Sequence, residues 1–513
     1  MITPDAGAAA IGVAACYQFW RWLREANWRR AIQAGAFLGV AELTKTTLLV
    51  LYVVWPLAWL VWRLSYSSSK DRCDRSEVSS RPGATQLLQL LFMFALSVYM
   101  INMCYAFEGS FKRLGSFEFV SNTLAPLRGE GDTLRSSNSF TTSWLAGLPV
   151  PFPESYILGI DQQKSDFELG LPSYLRGKWQ HGGWWYYYLY GLAIKVPLGT
   201  WVLLLMAACA GCRSKGVPDI SGSGMGTTLR DEVFLVAPAV TILALVSSQT
   251  GFGRHLRYVL PILPFVFIWA GRLGPRLGVS RLRSCFRARG STVSVSSAFH
   301  ECAGESRVSR VLSIIAGAAL SWSVASSVWH YPHSMSYFNE LVGGPLGGRW
   351  HMLDSNLDWG QDVLYLNAWL HEHPVARPLG FAYFGYFDPR AAGIAFSLPP
   401  RGPVESPTES GELDARRPVP PEELGPRPGW YAISVMMLHG FQYPIPDGQG
   451  ARFYADEPYF TYFQRFEPTA MAGYSIYIYH LTPAAVDRTR RELGLPPLGD
   501  RAKSAELEDG RRS

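Results

Sequence analysis

The chain has 513 residues, 48% hydrophobic, 14% aromatic and 17% charged, with a formal net charge of +6. A charged fraction this far below the roughly 25% of soluble domains, at a mean hydropathy of +0.04, excludes an ordinary all-soluble protein. The Arg and Lys residues cluster between apolar runs in the first two thirds of the chain, so the positive charge reads as membrane topology and not as a nucleic-acid surface.

The first apolar run covers residues 6–20 and is followed by Arg21, Arg24, Arg29 and Arg30, which predicts an outside start and a cytoplasmic exit. The stretch 31–62 would be about 48 Å long as one helix, too long for a bilayer core of about 30 Å. It is therefore predicted to break at Glu42-Leu43-Thr44-Lys45 into two packed spans, with that insert at the outer surface. The basic loop 63–85 then falls inside, a span over 86–106 returns outward, and the polar loop 107–184 lies outside. The run 184–212 goes back in, its aromatic cluster at 184–188 marking an interfacial belt. Cys209 and Cys212 close this run with no second pair nearby, and none of the seven cysteines lies in 107–184 or after 330, so no disulfide scaffold is expected outside. Loop 213–231 is inside, a span over 233–248 exits, a tight outer turn carries Arg254, His255 and Arg257, and 256–271 returns. Loop 272–309 is Arg-rich and inside, and a last span over 311–329 exits. About eight spans result. No internal repeat is found, which speaks against a transporter built from duplicated halves.

From residue 330 the composition is that of a soluble α/β domain. Residues 363–374 read as an amphipathic helix. "LGFAYFGYF", "GWYAISVMML" and "YSIYIYHL" read as buried strands. Residues 399–429 form a Pro/Gly-rich insert read as disordered, the domain ends near 482, and 483–513 is a charged, peripheral tail.

Ionisable groups at a membrane face are costly and therefore informative. On the outer side this topology gathers Asp5, Glu42 and Lys45, then Glu108 and Lys112, then Asp161, Asp166 and Glu168, the turn with Arg254, His255 and Arg257, and Asp354, Asp358 and Asp362. Cations beside acids at a water–lipid boundary suit transfer from a lipid-linked phosphate. Lys or Arg neutralises the departing phosphate and a carboxylate takes the proton of the incoming hydroxyl. A divalent cation is a common supplement, with Asp5 the candidate ligand. Structural roles stand beside each of these. Asp5, Lys45, Arg254 and Arg257 would anchor helix ends in the headgroup layer. Trp185 and Tyr187 would be belt residues and not a sugar platform. "DSNLDWGQD" (354–362) would place three acids on one helix face, for a cation or for folding the domain.

The ordered series "ITPDAGAAA", "GAFLGVAELTKTTLLVL", "FEGSFKRLGSFEFVS", "LPVPFPESYILGIDQQKSDFELG", "SYLRGKWQHGGWWYYYLYGLAIKVPLG", "GFGRHLRYVLPILPF" and "YFNELVGGPLGG" with "DSNLDWGQD" resembles bacterial membrane glycosyltransferases of family 39. These belong with the dolichyl-phosphate-mannose–protein mannosyltransferases in the C-type superfamily, and the resemblance runs over about residues 1–480. It implies an inner-membrane enzyme with its C-terminal domain outside. Such an enzyme moves a sugar, with inversion, from a polyprenyl-phosphate donor to a protein, lipid or glycan acceptor. By the same resemblance Asp5 is the second acid of the site. Lys45, Arg254 and His255 match the family's outer-face positions where lipid-phosphate contacts are expected; Arg257 of the same turn is a further lipid-phosphate candidate, and Glu108, Asp161, Glu168, Trp185 and Tyr187, from their place on the outer side, are candidate substrate or acceptor contacts. The family's first acidic motif precedes the "PD" segment, so the resemblance expects the principal base upstream of Met1 and an N-terminally incomplete chain. The competing reading is an inactive membrane protein that binds lipid-linked sugar or scaffolds partners.

Overall fold

The computed structural model describes residues 4–67, 83–128, 135–136, 138–212, 229–276, 307–403 and 420–498. Most of the basic residues that set the predicted topology, in 68–82, 213–228 and 277–306, lie outside the described residues, as does 404–419 of the Pro-rich insert. The chain divides into two compact units, Met1–Ser173 with Trp179–Ala325, and Tyr174–Lys178 with Ser326–Ser513.

The first unit is helical. Helix α1 (Pro4–Arg24) starts on a proline with Asp5 in its first turn and ends on Arg21 and Arg24, both ends matching the helix dipole. Helix α2 (Trp28–Thr44) is capped by Asn27, whose side chain accepts from Arg30 N at 2.9 Å. Lys45 then takes an extended conformation (φ −164°, ψ 131°), ending α2 where the sequence predicted a break. A 3-10 turn (Thr46–Val50) leads into α3 (Leu51–Ser67). Helix α4 (Gly83–Cys104) packs tightly on α2. A Cβ on Gly35 would lie 2.9 Å from the Met93 backbone, and one on Gly39 3.2 Å from Ser97 Cα, so the Gly-x-x-x-Gly face lets two backbones touch. Side chains also tie α4 to its neighbours: Trp22 Nε1 donates to Gln89 Oε1 at 2.8 Å, and Tyr52 and Ser97 hydroxyls meet at 2.6 Å.

After α4 the chain turns through Ala106, Phe107 and Phe111, all at positive φ. Asn102 holds this turn: its carbonyl accepts from Phe107 N at 2.8 Å and its side chain donates to Pro151 O at 2.9 Å. The loop that follows contains α5 (Glu154–Glu168). The run 184–212, expected as one continuous span, is broken. It is two helices, α6 (Tyr187–Lys195) and α7 (Leu198–Cys212), bent by 109°. Pro197 has no N–H to continue α6, and Val196 before it is pushed to ψ 134°. Helix α8 (Leu229–Ser248), a 3-10 stretch (Leu256–Ile262) with α9 (Leu263–Ala270), and α10 (Arg307–Trp329) complete the set; the last turn of α10 enters the second unit. Among the described residues four helices are long and apolar enough to cross a membrane, five if α6 and α7 are one bent span.

The second unit is α/β. Helix α11 (Val363–Glu372) is followed by strands β1 (Leu379–Ala382), β2 (Gly429–Ser434), β3 (Ala470–Ala472) and β4 (Ile476–Leu481). The sheet order is β1-β2-β4-β3, with β1 parallel to β2 and the other pairs antiparallel. Leu366 and Leu370 of α11 pack on Phe381, Ala432 and Ile478. Phe463 covers the other face, 5.2 Å from the Tyr431 ring and 5.3 Å from Tyr479. Burial on both faces explains why these strands read as continuous apolar runs. The expected strand "GWYAISVMML" stops at Ser434, where a Ser-capped helical turn, Val435–Leu438, takes over. The first part of the expected peripheral tail is packed. Helix α12 (Pro483–Glu492) buries Val486 and Arg490, and the Arg490 guanidinium donates to the carbonyls of Pro496 (2.8 Å), Leu424 (2.5 Å) and Pro426 (3.3 Å).

Candidate active site

The N-terminus of α1, the break after α2 and the 3-10 stretch before α9 meet in the first unit. Asp5 is 2% exposed and forms an ion pair with Lys45 Nζ, itself 8% exposed. Lys45 Nζ lies 4.8 Å from the centre of the Tyr258 ring. The Arg257 guanidinium, 5.8 Å from the same ring, hydrogen-bonds the Tyr258 hydroxyl and acts electrostatically on Lys45. His255 is buried with its ring 5.9 Å from Tyr258. Asp166 of α5 acts on Tyr258 as well. Next to Lys45, the Thr46 hydroxyl donates to Gln163 of α5, and Lys164 Nζ reaches Gln249 at 3.4 Å. Two cations, a carboxylate and a phenol thus share one buried corner. The interrupted helix makes it possible, because an extended Lys45 swings out of the α2 surface toward α1.

One turn back, Glu42 is 1% exposed and both its carboxyl oxygens lack a hydrogen-bond partner. The Tyr156 hydroxyl, also buried, faces it closely enough to interact with its charge but outside hydrogen-bond geometry. An uncompensated buried carboxyl in an apolar bundle is expensive.

Of the residues expected at the site, Asp5, Lys45, Arg257 and His255 come together. Arg254 precedes them in the same turn, partly buried and engaged by other groups. The loop acids do not join them. Asp161, 1% exposed, accepts from the backbone of Val120 (2.5 Å) and Ser121 (3.2 Å). Glu168 accepts from Asn122 N at 2.5 Å and from Thr123. Partial burial opposes its ionisation, but these bonds and Lys164 hold its carboxyl below the usual range. Both acids fasten the 120–123 loop to α5. Glu108 is exposed on the strained turn, beside the Lys112–Glu154 ion pair. Trp185 is 66% exposed, and Tyr187 is buried edge-on against Tyr188. Gln163 and Tyr258 are contributors that sequence reasoning missed. A neutral amide and a tyrosine inside an aromatic-rich span carry no signal of their own, although Tyr258 stands one residue after Arg257.

In the second unit 354–362 is not a helix. Asp354–Asn356 is a 3-10 turn with Asp354 at φ 59°, and α11 begins only at Val363. The acids anchor the sheet. Asp358 accepts from Ser434 Oγ at 2.5 Å and Gly360 N at 2.8 Å, and Asp362 accepts from Tyr474 N and Ser475 N, both at 3.0 Å. Burial, with Asp362 nearby, pushes the Asp358 carboxyl up to about 7 despite those bonds. His439, in the same unit, is pushed down to about 4 by burial and by Arg349.

Among the described residues no group of three or more His, Cys, Asp or Glu side chains converges on a point that could hold a metal. Asp5 alone is a poor seat for the expected divalent cation, since its ion-pair partner is an ammonium and hard cations take six or more oxygens. Compared with known proteins, the chain matches no family model, no curated protein and no solved structure.

Proposed function

We propose that the chain transfers a sugar, with inversion, from a polyprenyl-phosphate donor to an acceptor at the outer face of a bacterial inner membrane. Its fold in this reading is a C-type glycosyltransferase of about eight spans with an external C-terminal α/β domain. The observation that carries it is the buried Asp5–Lys45 pair with Arg257 and Tyr258 alongside. The ordered family-39-like motifs support it, because "ITPD", "ELTK" and "RHLRY" are the three segments that supply this corner.

The chemistry follows from the charges. A donor phosphate between Lys45 and Arg257 competes with Asp5 for the Lys45 ammonium. As the sugar C1–O bond breaks, both cations take up the negative charge that collects on the departing phosphate. The phosphate's hold on Lys45 releases Asp5, whose carboxylate then positions the acceptor hydroxyl. The hydroxyl oxygen bonds to C1 as the bond from C1 to the phosphate oxygen breaks, and its proton passes to the freed Asp5 carboxylate. Binding without turnover is the second reading, and one observation favours it: Asp5 is buried and already paired, so it acts as no base until that pair opens.

Binding of polyprenyl phosphate to the purified full-length chain in detergent tests the phosphate site. Lys45→Met and Arg257→Met are each expected to weaken it by about 10- to 100-fold, the loss of one charge-assisted contact. Unchanged binding in both variants would remove the basis of the proposal.

A further inference from the structure

Helix α4 is long and apolar enough to cross a membrane, and its exposed side chains form one stripe. Leu88, Leu91, Phe92, Tyr99 and Met103 are exposed. At 3.6 residues per turn they fall within about 120° of one another. They are turned away from the buried Leu90 and Ser97. The stripe does not end with the helix. Phe107, in the turn that follows, is 46% exposed, with its ring 5.7 Å from that of Tyr99. Phe111, four residues on, is 62% exposed. A second segment is hydrogen-bonded to this turn, Phe111 N to Val150 O and Leu114 N to Leu148 O, both at 2.9 Å. It adds Leu148 and Trp144, 51% and 90% exposed.

These four side chains are not displaced members of the loop's own core. That core is built from Phe117, Phe119 and Ala125, with Leu114, Phe140 and Val150 packed against it. Nor is the turn loosely held. Asn102 binds it from the end of α4, the Ser110 hydroxyl donates to Asn102 Oδ1, and Lys112 pairs with Glu154 of α5. Phe107 and Phe111 hold φ 59° and 63°, a region that suits glycine and strains a bulky residue. Glycine does occupy that region at position 109 of the same turn. The backbone therefore gives no reason for phenylalanine at 107 and 111, and the reason lies in what the two rings meet.

We propose that the turn after α4 and the 144–148 segment form a platform seated in the bilayer interface. Phe107, Phe111, Trp144 and Leu148 enter the leaflet in which α4 ends. Continuity with the bare apolar stripe of α4 identifies the occupant as membrane lipid, and aromatic rings gather at this depth. Glu108, Lys112 and Arg113 of the same turn bring charges suited to the headgroup layer. The platform fixes the start of the 107–184 loop against the membrane by a contact that no spanning helix supplies. The inference rests on α4 crossing a membrane and not on sugar transfer.

The test uses the full-length chain in vesicles of phosphatidylcholine and phosphatidylglycerol. A fraction of the phosphatidylcholine carries a diazirine near the carbonyl end of one acyl chain. After irradiation and digestion, lipid adducts are mapped by mass spectrometry. Adducts are expected on residues 105–112 and 144–148 as well as on α4. The double variant Phe107→Gly, Phe111→Gly suits the positive φ values and so keeps the turn. It should lower the adducts on 144–148 by at least about tenfold, the loss expected when apolar anchors leave the bilayer, and leave those on α4 unchanged. A labelled α4 with both other segments unlabelled would place the turn in water and overturn the proposal. Crosslinks from the turn to a second copy of the chain in place of lipid, or wild-type labelling of 144–148 in the double variant, would overturn it as well.

Discussion

Lys45 shows what a single residue contributes here. Its ammonium is buried against one carboxylate and one aromatic face, so removing Asp5 alone strands a charge. Asp5→Asn and Lys45→Met are each expected to destabilise the chain by about 3–5 kcal/mol. The double variant should lose clearly less than their sum, by about 0.5–3 kcal/mol of coupling, read from thermal or denaturant unfolding in detergent; additive losses would mean the pair is not coupled. Asp358 and His439 make opposite contributions to the pH dependence of the second unit. The folded-state value of Asp358, about 7, lies above the ordinary 3.8, so its contribution is full below pH 4 and is lost as the pH rises toward 7. His439, held near 4 against an ordinary 6.5, favours the fold above pH 6.5 and loses that contribution as the pH falls toward 4. Amide exchange in β2 and β4, corrected for intrinsic rates, should therefore lose its protection less steeply from pH 4 to 7 in Asp358→Asn than in wild type. The charged types at the outer corner were readable from sequence because charges between apolar runs stand out. Their partners were not: whether Asp161 faces a substrate or two backbone N–H groups depends on a loop 40 residues away.

Elements were more legible than side chains. That the stretch breaks follows from length, since 32 apolar residues overshoot a bilayer; the polar insert Glu42–Lys45 marks the place, and α2 does stop there. The bend at Pro197 was written in the sequence as well, but a reading by hydropathy joins α6 and α7 because both are apolar. The 354–362 segment misled for another reason. Acids spaced by four suit a helix face, yet Asp358 and Asp362 are used as acceptors for β2 and for the residues before β4, a tertiary demand that overrides the spacing. Gly35 is the sharpest test at this scale. Gly35→Ala places a methyl 2.9 Å from the Met93 backbone and is expected to lower the melting temperature, by a cost of about 1–3 kcal/mol. Gly159→Ala, in α5 with open space around it, should be neutral or stabilising by up to about 1 kcal/mol. If the two variants behave alike, close packing of α2 on α4 is not what holds the bundle.

The whole molecule comprises a helical unit with a buried Asp5–Lys45 ion pair and a buried, unpartnered Glu42, and an α/β unit that extends through α12. Composition divides the chain near residue 330, whereas the second compact unit begins at Ser326 and also takes in Tyr174–Lys178. Composition could not place α12, because Pro483–Glu492 is charged on most faces and only Val486, Thr489 and Arg490 turn inward. Truncation after Leu481 should expose the carbonyls of Leu424 and Pro426 that Arg490 holds, and is expected to make the second unit protease-sensitive. At this scale the central claim is that one end of the helical unit handles a lipid-linked sugar phosphate. The direct measurement is release of polyprenyl phosphate from polyprenyl-phosphate mannose and polyprenyl-phosphate glucose by the full-length chain, with protein, lipid and glycan acceptors from the same membrane. Acceptor-dependent release is expected, falling at least about 100-fold in Asp5→Asn and Lys45→Met. Donor binding with no release, unchanged by Asp5→Asn, would contradict the claim and leave a protein that holds lipid-linked sugars without transferring them.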